Sequence, residues 1–262
     1  MTRLLPLTFL IMASLPASAG YIVIDDFIMP QSVTLTGVAP QTGGSVANPT
    51  VAALGVERDL WVKKTTGPNG APISALVNPY GQNLMRFDMG AGVRGSARLT
   101  WDGIDGNANT IDYDGLGGVD LGLSGSSYFE LRVAFSNIAG PVDFVVYDAS
   151  DATGSQYAKG TISLPAGIDL DPDVDTLINF QLPFSSMLLM GGATTDLFRH
   201  VGAITMTINA EVAGQGGRDV NLDRLRVYAD IPLPPPVIPE PATLALLGLG
   251  LGLIGLSRRS KR

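Results

Sequence analysis

The chain has 262 residues, with 17 basic and 24 acidic side chains, one histidine and no cysteine. Without cysteine there are neither disulfides nor thiol chemistry, and a single histidine rules out a zinc site of two or three imidazoles. Residues 20–236 carry 12 of the basic and 23 of the acidic residues, a formal charge of −11 that makes nucleic acid and anionic lipid poor partners and divalent cations favourable ones.

The first nineteen residues read as a signal peptide: Arg3 supplies a positive start, residues 4–15 an apolar stretch, and Ala17-Ser18-Ala19 a small-residue cleavage site for signal peptidase. From there to residue 230, glycine and proline punctuate the chain and no long helical period appears. Strand signals recur at 21–29, 57–63, 83–89, 96–101, 127–137, 142–147, 159–164, 176–182, 203–209 and 220–228. In 127–137, Phe129, Leu131, Val133 and Phe135 share one face while Glu130 and Arg132 share the other. The spacing predicts one all-β domain over 20–230, an antiparallel two-sheet β-sandwich.

The order of these segments resembles the jelly-roll domains of the galactose-binding-like type. The matching stretches are Ile24-Asp25-Asp26-Phe27, residues 115–120, Phe184-Ser185-Ser186 and residues 221–228. The resemblance implies a sugar-binding or scaffold domain, with a structural calcium where the first and last strands meet, at Asp26 and Asp223. The alternative is that both are solvent-side aspartates at strand ends.

The acidic residues are 20 Asp against 4 Glu, and Asp favours turns and short-range oxygen clusters. Asp102, Asp105, Asn107, Asn109, Asp112 and Asp114 offer six side-chain oxygen donors within one short loop, and the alternation of 105, 107 and 109 suits calcium. Thr110 and Leu116 depart from the helix-loop-helix calcium pattern, which wants Gly and Glu there, so a solvated turn-rich loop is the competing reading. Asp169, Asp171, Asp173 and Asp175 alternate around Pro172 and read as an exposed connection.

No catalytic motif is complete. His200 would have to carry any Ser-His-Asp triad alone, and Gly122-Leu123-Ser124-Gly125-Ser126 lacks the final Gly of a nucleophile elbow. A hydrolase using paired Asp and Glu is not forbidden. A carbohydrate-binding surface needs aromatic platforms; of Trp61, Trp101, Tyr113 and Tyr157, the candidates are Trp101, directly before the acidic loop, and Tyr113 within it, a packed core residue being the alternative for each tryptophan.

The C-terminal stretch has three parts: a proline-rich linker over 231–241, an uncharged segment over 242–256, and a basic tail over 257–262 with Arg258, Arg259, Lys261 and Arg262. As a helix the uncharged part would be about 22 Å long, short against a hydrocarbon core of roughly 30 Å. The basic end places the tail in the cytoplasm and the main domain across the inner membrane. With Pro239-Glu240-Pro241 this order resembles the PEP-CTERM sorting signal of Gram-negative bacteria. The resemblance implies transient anchoring, cleavage by an exosortase, and delivery to the outer surface or the exopolysaccharide matrix of a biofilm. The expectation is therefore an exported, non-enzymatic β-sandwich in a structural or adhesive role. The rivals are a calcium-assisted carbohydrate-binding module and a polysaccharide hydrolase.

Overall fold

In Tyr128–Ser136 the period-two pattern holds as far as Val133: Phe129, Leu131 and Val133 lose all contact with solvent, but the register against residues 220–222 then shifts by one, and Phe135, expected on the same face, is only half-buried. The computed structural model describes residues 18–47, 53–122, 125–171, 177–209 and 217–231. Its strands are β1 Ser18–Asp25, β2 Gln31–Leu35, β3 Gln41–Ala47, β4 Arg58–Thr66, β5 Ile73–Val77, β6 Met85–Met89, β7 Arg94–Trp101 and β8 Tyr128–Ser136. They continue as β9 Gly140–Asp148, β10 Tyr157–Leu164, β11 Ile168–Asp169, β12 Ile178–Pro183, β13 Leu188–Met190, β14 Val201–Asn209 and β15 Val220–Ile231.

These strands form two sheets. One runs β11-β8-β15-β6-β5-β2, with β1 also on β15 and β12 on β8; the other runs β13-β10-β9-β14-β7-β4-β3. Every pairing with a defined register is antiparallel. The predicted two-sheet sandwich is the fold observed. Each predicted strand overlaps an observed one, and β2, β3, β5, β11 and β13 are additional.

The core lies between the inner faces. Phe129 on β8 stacks on Phe144 of β9 at 5.1 Å, and Phe184 meets Phe129 edge-on at 5.1 Å while stacking on Phe198 at 4.3 Å. Each such pair adds about 0.5–1.5 kcal/mol beyond the area it buries.

Two buried cations, Arg58 and Lys64, enter this core with partners. The fully buried Arg58 donates to both oxygens of Asp25 at 3.0 and 2.9 Å, to Gln31 Oε1 at 2.8 Å and to the Met29 carbonyl at 2.7 Å. Lys64, also fully buried, spends its ammonium on the carbonyls of Gly37, Pro68 and Ala71 at 2.7–2.9 Å. In the absence of disulfides these networks fix how the β2–β3 segment crosses between the sheets.

The compact unit described here runs Ala19–Ile231. Its first and last strands are neighbours: Tyr21 packs on Tyr228 at 5.5 Å, and Arg224 pairs with Asp26 at 2.9 Å. These two contacts place β1 antiparallel to β15. Of the sorting and processing residues expected from sequence, Ala19 lies at the start of β1. Ala17, Pro239, Glu240, Pro241, Arg258 and Arg259 lie outside the described residues, as does the apolar 242–256 segment. Among the described residues no helix is long and apolar enough to cross a membrane.

Candidate functional site

The outer face of the seven-stranded sheet is polar in ordered rows, because strand register brings side chains of five strands into line. One row is Asp59, Thr100, Thr205, Val145 and Lys159; the next is Trp61, Arg98, Thr207, Asp143 and Thr161. Arg98 lies over the Trp61 ring at 5.3 Å, and Thr161 donates to Asp143 at 2.7 Å.

The long connection from β7 to β8 covers one end of this face. Leu116 N–H donates to the Gly202 carbonyl at 2.8 Å, Val119 and Val201 exchange backbone bonds at 2.9 Å, and Arg98 reaches the Ala108 carbonyl at 3.3 Å. Gly202 permits the crossing, since a Cβ there would stand 2.0 Å from the Tyr113 carbonyl oxygen. Thr100 and Thr205, in register in the first of these rows, are only 1% and 3% exposed. From the same loop Tyr113 leans on Tyr147 at 4.8 Å, and Tyr147 approaches Tyr157 at 5.9 Å. Beyond the loop the face is open, with a shallow groove of about 390 Å³ lined by Asp143, Val145, Lys159, Thr161 and Leu188.

Beneath the loop lies an acidic pocket. Glu57 Oε1 accepts from the backbone of Asp105 and Gly106 at 3.1 and 2.8 Å, and Asp102 Oδ2 accepts from Asp112 N–H at 2.8 Å. Carboxylate oxygens of Glu57, Asp59 and Asp105 come within 4.8 Å of one another. Glu57 Oε2 and both Asp59 oxygens have no hydrogen-bond partner, although each residue is 1% exposed. Burial, and then the charges of Asp102, Asp105 and Glu57, push Asp59 up to about 7; burial, with Asp105 and Asp112 nearby, pushes Asp102 up to about 6.

The residues singled out from sequence distribute as follows. Trp101 is a correction: it is fully buried and its indole donates to Asp25 Oδ2 at 3.0 Å, so it offers no face to a ligand. Asp26 and Asp223 are engaged by arginines, Asp26 by Arg224 at 2.9 Å and Asp223 by Arg132 at 3.2 Å, so each meets a guanidinium where calcium was expected. Asp105 and Asn107 accept from the backbone of Asn107 and Asn109 at 2.8 and 3.2 Å, bonds that turn the loop locally. Asp112 is held above the usual carboxylate range by its bond to Asp114. His200 is exposed, its Nδ1 3.3 Å from the Asp196 carbonyl.

Sequence reasoning missed Glu57 and Asp59, which lie 48 residues from the loop they meet in the case of Glu57 and Asp105. The available signal was the alternation Glu57, Asp59, Trp61, Lys63, which puts two carboxylates and a tryptophan on one strand face. It also missed Asp143, Lys159 and Thr161, whose alignment depends on register.

The PEP-CTERM protein-sorting motif is matched over residues 237–262. The chain thus carries this signal and is an exported, membrane-processed protein of the Gram-negative type. No curated protein matches it. Among solved structures it is similar to a family 11 carbohydrate-binding module from Clostridium thermocellum in complex with a β-1,3-1,4-mixed-linked tetrasaccharide, at 13% identity over 81% of this chain and 98% of that one, TM-score 0.39. It is also similar to an exo-β-agarase, at 11% identity over 81% of this chain and 25% of that one, TM-score 0.37. A third similarity is to a mutant family 29 module complexed with mannohexaose, at 15% identity over 72% and 92%, TM-score 0.29. Likeness at these levels transfers neither ligand nor site.

Proposed function

We propose that the protein is a non-enzymatic component of the outer surface or extracellular matrix, and that its sandwich adheres to polysaccharide along the open part of the β9–β10 face. The observation that carries this reading is the run of cross-strand pairs Tyr147 with Tyr157, Val145 with Lys159 and Asp143 with Thr161. A pyranose ring has apolar C–H faces that pack on tyrosine, and hydroxyls that both donate and accept. Asp143 accepts, Lys159 donates and Thr161 does both. Four residue steps along the strand, from Asp143 to Tyr147, give the strip a length of about 13 Å.

A second tyrosine group, Tyr21, Tyr228 and Tyr128, lies on the other sheet, but the Arg226 guanidinium sits 3.6 Å over the Tyr21 ring and occupies that platform. Hydrolysis is disfavoured by access. Asp59 and Asp102, the carboxylates with raised pKa values in the acidic pocket, are each 1% exposed beneath the loop, whereas a glycosidase needs two carboxyl groups open to substrate.

Affinity electrophoresis of the full-length chain through gels containing neutral or uronate-bearing polysaccharides tests the reading. Retardation lost in Tyr157→Ala and Asp143→Ala and kept in Tyr21→Ala supports it. Equal retardation of wild type and Tyr157→Ala overturns the site. Free migration of a folded chain in every gel overturns the adhesion and leaves a passive structural role.

A further inference from the structure

We infer that Glu57, Asp59 and Asp105 form a binding site for calcium, held between the β4 end of the sheet and the loop that crosses it. This inference stands apart from the polysaccharide reading and shares no residue with it.

The donor set is three carboxylates within 4.8 Å, an all-oxygen anionic arrangement suited to a hard divalent cation. A cluster of acids alone would say little, since exposed carboxylates repel one another into solvent. Here Asp59 cannot leave: it is 1% exposed, pinned on β4 with backbone on both sides, and neither of its oxygens has a partner. The buried Glu57 is held by two backbone N–H groups through one oxygen, which leaves Oε2 unpartnered. Asp102 adds a fourth negative charge beside Asp59.

The cation within electrostatic reach, Arg98, directs Nη2 to the Ala108 carbonyl and stacks on Trp61, and it makes no hydrogen bond to Asp59. Buried charge without compensation costs several kcal/mol per ion, so the arrangement calls for a counter-charge of two or more at its centre. Calcium fits better than magnesium, because magnesium holds its own waters in a strict octahedron and the pocket is closed by the loop.

The bound ion would join β4 to the loop that carries Tyr113, and so order the loop from beneath. Calcium titration of the EDTA-stripped full-length chain, read by calorimetry and by the thermal midpoint, tests this. Binding at or below about 1 mM is expected, with the midpoint raised by roughly 5–10 °C at a hundredfold excess over Kd.

Asp59→Asn should weaken binding at least about tenfold while leaving the metal-free protein folded and no less stable, because it removes an unpaired buried charge. Asp88→Asn, on β6 of the other sheet, should bind as wild type does. A silent titration of the folded wild type, or Asp59→Asn binding with unchanged affinity, overturns the site. An equal midpoint shift with magnesium overturns the choice of calcium.

Discussion

Asp25 and Trp101 meet at 3.0 Å through the indole N–H, joining the first strand of one sheet to the middle of the other inside the core. Asp25 also takes two bonds from Arg58 and one from the Phe27 amide, so every donor around it has a use. Removing the carboxylate in Asp25→Ala leaves the Arg58 guanidinium buried and unpaired, and this should cost about 3–5 kcal/mol. Chemical denaturation is the direct check, with a midpoint drop of roughly 10 °C as the thermal counterpart. A change below about 1 kcal/mol would mean the pair contributes nothing net.

The acidic pocket predicts a pH dependence for the metal-free chain. Asp59 and Asp102 titrate at about 7 and about 6 in the folded state against 3.8 unfolded, so between about pH 4 and 7 the folded state holds protons that the unfolded state has released. Stability contributed by these groups therefore falls as pH rises through that window. In EDTA the midpoint should be higher at about pH 5 than at about pH 8, and Asp59→Asn should flatten the upper part of the slope. A midpoint that climbs steadily with pH would contradict the assignment.

The sorting signal predicts a localisation phenotype. Replacing Pro239-Glu240-Pro241 by alanines should leave the protein in the inner membrane fraction at its uncleaved mass. Fractionation and immunoblotting read this, and release at the normal level would show that the tripeptide is dispensable.

Much of the fold was legible because inner-face residues such as Phe129, Leu131 and Val133 follow the strand period without interruption. β3 escaped because Gly43 and Gly44 leave it no apolar alternation, and β5 because a five-residue strand set between Pro72 and Pro79 gives too short a pattern. The site was less legible. Trp101 has the composition of a platform but the phase of an inner-face residue, in step with Ala97 and Leu99. The acidic loop drew attention to itself, whereas its partners Glu57 and Asp59 are an ordinary strand opening until the loop is folded onto them. Long-range register, not local spacing, creates both the acidic pocket and the β9–β10 strip.

The place of β15 bears on how the protein is delivered. It lies inside its sheet, between β8 and β6 with β1 alongside, yet it is built from the last described residues, 220–231. A chain threaded unfolded and N-terminus first through a membrane could not close this sheet until residues 220–231 had emerged. The sorting motif begins at residue 237, six positions after β15 ends. In such a passage the closing strand and the sorting motif, with five residues between them, would arrive together.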